Sequence, residues 1–232
     1  MRFRNALLKQ ARTGTGTGAV PVIPDIKCSS PLQGDLLQGR CPVASALQLV
    51  DAGAATLSNV TESVHFGGSL ELLRTLVATC DVPILRKDFV TCEADLDVTV
   101  ACGAAAILLI YATIGVAKVE QLYQAAVDRG LEVVVEARTR EHLQHAKELA
   151  APLVGINNRD ITRFELDDGT VENTCELIEY APKDALIISE SGILTPADVR
   201  RVVDAGADAV LIGTALWQAP NLAAAYQSFS GL

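Results

Sequence analysis

The sequence predicts a single-domain α/β protein, a (β/α)8 TIM barrel with a short N-terminal extension. Three observations carry that reading. Eight apolar runs recur along the 232 residues. Several are continuous rather than alternating, as expected for parallel strands buried on both faces. Between them lie segments with helical periodicity, and a glycine-bearing turn precedes several of the runs. VDAGA occurs at 50–54 and again at 203–207, VACGA at 100–104 and VDRGL at 127–131. A glycine just past a helix end permits the left-handed C-cap conformation, so each copy marks a helix-to-strand turn. A doubly wound open sheet would also alternate strand and helix. Eight evenly spaced strands in about 210 residues favour the closed barrel.

Taken in order, residues 1–19 form the extension and 20–232 the barrel. The stretch 13-TGTGTG-18 reads as a flexible linker. Its G-x-G-x-G precedes a strand with no helix after it, the wrong context for dinucleotide binding. The strands are 20-VPVIPDI-26, 54-AATLSN-59, 82-VPILRK-87, 105-AAILLI-110, 131-LEVVVEA-137, 152-PLVGIN-157, 185-ALIISE-190 and 208-DAVLIG-213. Helical periodicity is clearest in 68-GSLELLRTLVA-78 and 116-VAKVEQLYQAAVDR-129. No composition break divides the chain.

Composition narrows the class. Half the residues are hydrophobic but only 4% are aromatic, so the core must be mostly Val, Ile, Leu and Ala. No apolar run approaches the ~20 residues that span a bilayer, and the N-terminus lacks the pattern of a signal peptide. The expected location is the cytoplasm. Six scattered cysteines without a C-x-x-C pair read as reduced thiols. A net charge of −9 argues against a broad nucleic-acid face. An anionic small substrate remains possible if positive charge is concentrated locally.

In such barrels the chemistry gathers at the C-terminal ends of the strands. The first strand ends in Asp25 and Lys27, two residues apart and therefore on one face. The third ends in Arg86, Lys87 and Asp88, the fifth in Glu136, and the sixth in Asn157, Asn158 and Arg159. The seventh ends in Glu190, Ser191 and Gly192, the eighth in Gly213 and Thr214. The opposite ends carry mostly Pro, Ala and Gly. Strands do become polar wherever they reach solvent, but six of them doing so at one end marks an active site. A carboxylate beside Lys27 favours the charged lysine, which can meet a substrate carboxylate or deliver a proton. Phosphate groups often bind at the loops after strands 7 and 8, where Gly192, Gly213 and Thr214 lie, and Ser30 could add a hydroxyl.

These strand-end motifs resemble the indole-3-glycerol phosphate synthases. The matching pieces are 25-DIKCSSP-31, 57-LSNVTESVHFGGSLELL-73, 85-LRKDFV-90, 132-EVVVEA-137, 155-GINNRDITRFELD-167, 189-SESGI-193 and 207-ADAVLIGTAL-216. The resemblance implies a cofactor-free, metal-free carboxy-lyase of tryptophan biosynthesis. Its substrate would be 1-(2-carboxyphenylamino)-1-deoxyribulose 5-phosphate. Lys87 would be the general acid for ring closure and Glu136 the carboxylate that handles protons in dehydration. Lys27 would bind the substrate carboxylate. Asn157, Arg159, Glu190 and Ser191 would orient the sugar and the lysines. Phe66 and Phe89 would pack the anthranilate ring, and Ser30, Gly192, Gly213 and Thr214 would hold phosphate. The expected state is a monomer or weak homo-oligomer.

The chain also departs from the family pattern. Asp25 stands where the family has glutamate, one methylene longer. Pro24 replaces a usual alanine, and proline removes a ladder hydrogen bond in a central strand. Leu32 replaces a serine of the phosphate loop. The segment before the first strand is short, whereas the family often has an extra N-terminal helix that helps close the site. These differences keep an alternative in view: a phosphate-binding paralogue with another sugar-phosphate substrate or with no activity. Outside the mouth, His142 and His145 share one face of a helix, a spacing compatible with metal but read as a solvated surface pair. Arg86 should point away from Lys87 and be structural. Asp88 and Arg159 could pair across the mouth. His65 and Cys28 are not expected to be catalytic, and Trp217 is either a packing residue or part of an oligomer contact.

Overall fold

The computed structural model describes residues 2–13, 19–160 and 170–231. Eight parallel strands close into a barrel: β1 (Val22–Ile26), β2 (Leu57–Val60), β3 (Ile84–Lys87), β4 (Ala106–Ile110), β5 (Glu132–Ala137), β6 (Leu153–Asn157), β7 (Leu186–Glu190) and β8 (Ala209–Ile212). β8 pairs with β1 to complete the ring. Every predicted run contributes one strand. The second begins later than its apolar run, at Leu57, because residues 54–56 belong to the turn that leaves the preceding helix. In the four repeated turn motifs Gly53, Gly103, Gly130 and Gly206 all have positive φ, between 78° and 121°. The repeat therefore encodes a backbone conformation that a side chain would strain.

The connecting helices are α2 (Pro42–Asp51), α3 (Leu70–Thr79), α4 (Glu93–Ala101), α5 (Tyr111–Ile114), α6 (Val116–Asp128), α7 (Arg140–Glu148), α8 (Glu172–Leu177), α9 (Pro196–Ala205), α10 (Thr214–Gln218) and α11 (Leu222–Ser230). Local signals set their starts. Ser69 accepts the Leu72 N–H at the head of α3. Thr195 and Asp198 form a reciprocal capping box at α9, with Pro196 in its first turn. No helix among the described residues is long and apolar enough to cross a membrane.

The barrel interior is filled by Ile23, Leu85, Leu108, Val134, Ile188 and Leu211, and larger apolar clusters lie between the strands and the outer helices. An N-terminal helix, α1 (Phe3–Thr13), inserts Phe3 and Leu7 into the interior cluster. It sits at the N-terminal ends of the strands. The Glu132 carboxylate, at the start of β5, accepts the N–H groups of Phe3 and Arg4. Gln10 donates to Gly53 O and to Tyr226 Oη at the same end. The helix thus plugs the barrel floor, on the far side from the C-terminal strand ends. The 13-TGTGTG-18 segment lies beyond the described residues apart from the helix terminus at Thr13.

Candidate active site

β1 brings Asp25 and Lys27 to the barrel mouth, both nearly fully buried. Pro24 leaves its mark on the register. Pairing of β1 with β2 starts only at Asp25, one residue beyond the missing N–H, while pairing with β8 ends at Pro24. A short hairpin, Ser29–Ser30 against Gly34–Asp35, then carries the chain outward.

One mouth cavity, of about 820 Å³ including its opening to solvent, gathers most of the predicted site. Lys27, Lys87 and Arg159 face Asp25, Glu62 and Asp88 in its charged lining. Phe66 and Phe89 supply aromatic walls, and Ser191, Gly192, Gly213 and Thr214 line the side of β7 and β8. The Lys27 ammonium lies over the Phe66 ring, 5.5 Å from its centroid, where the ring quadrupole favours its charge.

Glu136, Asn157 and Glu190 stand behind that lining, buried at the ends of β5, β6 and β7. Lys87 Nζ lies 3.8 Å from Glu190 Oε2. Burial raises the Glu190 carboxyl to about 8, Lys87 opposes that rise, and the Glu136 and Asp25 carboxylates add to it. Three acids therefore share the electrostatics of one lysine, an arrangement able to hold and pass protons. Neither oxygen of Glu190 makes a hydrogen bond among the described residues, nor do Asp25 Oδ1 and Glu136 Oε2. Asn157 Oδ1 accepts the Arg159 N–H at 2.9 Å, a local turn that presents Arg159 to the cavity. Ser30 is buried in the hairpin and is not part of the cavity wall.

Arg86 points away from the mouth. Its guanidinium bonds Thr61, Asp88, and the Asp95 carbonyl and Thr99 hydroxyl of α4. Asp88 is thus engaged by Arg86. Burial raises the Cys28 thiol, as does the nearby Asp35, which disfavours a reactive thiolate. His142 stacks on Tyr111, ring centroids 5.3 Å apart, and His145 lies against the same ring. Among the described residues no cluster of three His, Cys, Asp or Glu could hold a metal ion.

The family model for indole-3-glycerol phosphate synthase matches residues 1–229. The chain belongs to the indole-3-glycerol phosphate synthase family. It is 40% identical to the indole-3-glycerol phosphate synthase of Pyrococcus furiosus over 209 residues, covering 90% of this chain and 91% of that relative. The Exiguobacterium sibiricum enzyme of the same name is 37% identical over 231 residues, covering 100% and 87%. That of Haloarcula marismortui is 42% identical over 199 residues, covering 86% and 72%. Among solved structures, a thiamine phosphate pyrophosphorylase from Pyrococcus furiosus superposes with a TM-score of 0.66 at 15% identity, covering 92% of this chain and 95% of that one. That likeness speaks to the fold alone.

Four site features of this family member go beyond the strand-end reading, which placed Asn158 at a strand end but gave it no role. Glu62 lines the cavity and accepts the N–H groups of Val64, His65 and Phe66, so it shapes the loop that carries Phe66. Burial opposes ionisation of Glu62, but these hydrogen bonds outweigh it and lower its carboxyl below the ordinary range. Asn158 donates to Ser189 Oγ and to the Glu190 and Ser191 carbonyls, tying β6 to β7. It holds Ser191 and Gly192 in consecutive positive-φ conformations, and a Cβ on Gly192 would meet the Thr170 carbonyl at 2.3 Å. Gly155 lies beneath Glu190. An isolated glycine inside a strand signals such a close approach and was available in the sequence. Trp217 is the fourth, buried and bonded to the Asp25 carbonyl.

Proposed function

We propose that this protein converts 1-(2-carboxyphenylamino)-1-deoxyribulose 5-phosphate into indole-3-glycerol phosphate, carbon dioxide and water. The observation that carries this reading is Lys87, held 3.8 Å from a buried glutamate and facing the same cavity as Lys27 and two phenylalanines. Lys87 donates a proton to the sugar carbonyl oxygen as the anthranilate ring carbon that bears the carboxylate attacks the carbonyl carbon. The carboxylate then leaves as carbon dioxide, its bonding electrons restoring the aromatic ring. The new hydroxyl departs as water with Glu136 handling protons, and loss of a ring proton completes the indole. Lys27 binds the carboxylate before it leaves, Phe66 and Phe89 hold the ring, and Asn157, Arg159 and Ser191 orient the sugar. Gly192, Gly213 and Thr214 receive the phosphate, while Ser30, expected beside them, is buried in the hairpin and off the cavity wall.

The net change is redox-neutral, so these side chains need no metal or organic cofactor to perform it. An acidic exterior with cations gathered at the mouth suits one small phosphorylated substrate and disfavours nucleic acid. We place the enzyme in the cytoplasm, as a monomer or weak homo-oligomer. The test is direct: purified protein is mixed with the substrate and indole fluorescence is followed. Fluorescence growing at an enzyme-like rate supports the proposal. A folded protein that binds inorganic phosphate but produces no indole would sink it in favour of a different sugar phosphate.

A further inference from the structure

The end of β1 is held by a device that lies outside the catalytic constellation. Carbonyl directions alternate along a strand, and Pro21 O already accepts Val210 N from β8 at 3.0 Å. The Ile23 and Asp25 carbonyls therefore face the same side. The β8 ladder stops at the Pro24–Ile212 pair, which leaves the Asp25 carbonyl without a strand donor. Trp217 Nε1, from α10, donates to it at 2.8 Å, and both groups are buried. On the other side of the chain, Asn59 Nδ2 donates to the next carbonyl, Ile26 O, at 3.1 Å. The two side chains grip the two consecutive peptides that follow the acid, from opposite sides of the chain.

Trp217 is itself anchored. The Arg40 guanidinium lies 5.3 Å from its ring centroid and donates to the Trp217 and Ala219 carbonyls. The same guanidinium bonds the Leu36 and Leu37 carbonyls, so the chain leaving the β1 hairpin is tied to α10. Gly213, which leads from β8 into α10, lies beside Asp25: a Cβ there would stand in ordinary contact, 3.4 Å, with Asp25 Cβ.

We propose that Trp217, braced by Arg40, is a positioning residue that aims the Asp25 carboxylate at the substrate. The inference rests on the proposed synthase reaction. A shortened acid in a strand weakened by Pro24 needs its backbone fixed from outside the ladder, and the indole N–H supplies that. A displacement of about 1 Å at a catalytic group costs on the order of 100-fold in rate.

The experiment compares wild type, Trp217→Phe, Asp25→Ala and the double variant in steady-state synthase assays. Trp217→Phe keeps an aromatic ring in the pocket and removes the donor together with part of the ring volume. It is expected to lower kcat about 10- to 100-fold with KM changed less than about threefold, because ring and phosphate contacts stay in place. In the Asp25→Ala background the same change should have no further effect on kcat, since residues acting through one another are not additive. Unchanged kcat in Trp217→Phe, or equal losses in both backgrounds, overturns the inference while leaving the reaction intact. If Trp217→Phe does not fold, Arg40→Met is carried through the same cycle with the same two criteria. A wild type without turnover overturns the reaction and the inference together.

Discussion

Gly155 has only a hydrogen where any other residue would place a Cβ 2.0 Å from Glu190 Oε1. The approach of Glu190 to Lys87, 3.8 Å, depends on that gap. Gly155→Ala should fold but displace Glu190, with kcat falling on the order of 100-fold; a rate within about threefold of wild type would show that Glu190 is free to move. Lys87→Ala should lower kcat by about 1000-fold or more while circular dichroism stays native, given what a positioned general acid contributes. Asp25→Glu, which restores the family's acid, should keep kcat within about tenfold of wild type, because Asp25 Oδ1 makes no hydrogen bond among the described residues. A larger loss, on the order of 100-fold, would mean that the clamp at Trp217 and Gly213 is built for the shorter side chain. The Glu190 carboxyl offers a pH signature. Its folded value, about 8, lies above the unfolded one, so its contribution to stability is full at low pH and is lost as pH rises through about 8. Glu190→Gln cannot ionise. Its Tm should therefore gain on wild type steadily from pH 5 to pH 9, and a gap independent of pH would refute the raised value.

At the scale of elements, each strand end is aimed by a neighbour. Asn158 ties β6 to β7, Glu62 folds the loop after β2 onto its own carboxylate, and Trp217 reaches from α10 to β1. These contacts join consecutive or ring-adjacent strands, so the mouth is a cross-linked rim on a packed cylinder. α1 serves the other end. Phe3 is fully buried among interior barrel residues, so Phe3→Ala should destabilise the fold by about 3–5 kcal/mol in denaturant titrations. Because the floor lies opposite the mouth, kcat should be unchanged at temperatures where the variant is folded. A kcat that falls in step with stability would show that the floor and the mouth are coupled.

For the molecule as a whole, barrel closure is what makes one site from residues spread between positions 25 and 214. The chain carries a net charge of −9, yet Lys27, Lys87 and Arg159 converge on one cavity. Asp25, Glu62 and Asp88 line the same cavity, so the mouth sets charges of both signs side by side rather than forming a positive patch. By itself the sequence determined the repeated strand–helix unit, because hydrophobic period and positive-φ glycines are local properties. It likewise determined which strand ends bring charged and polar side chains to the mouth, since alternation along a strand is set by the backbone. It foretold the outward turn of Arg86 for the same reason. Only the tertiary structure decided that α1 seals the floor, that Glu190 rests on Gly155, and that Trp217 holds Asp25 across 192 positions. Those facts depend on which elements become neighbours when the ring closes, and no local pattern records a distance between residues far apart in the chain.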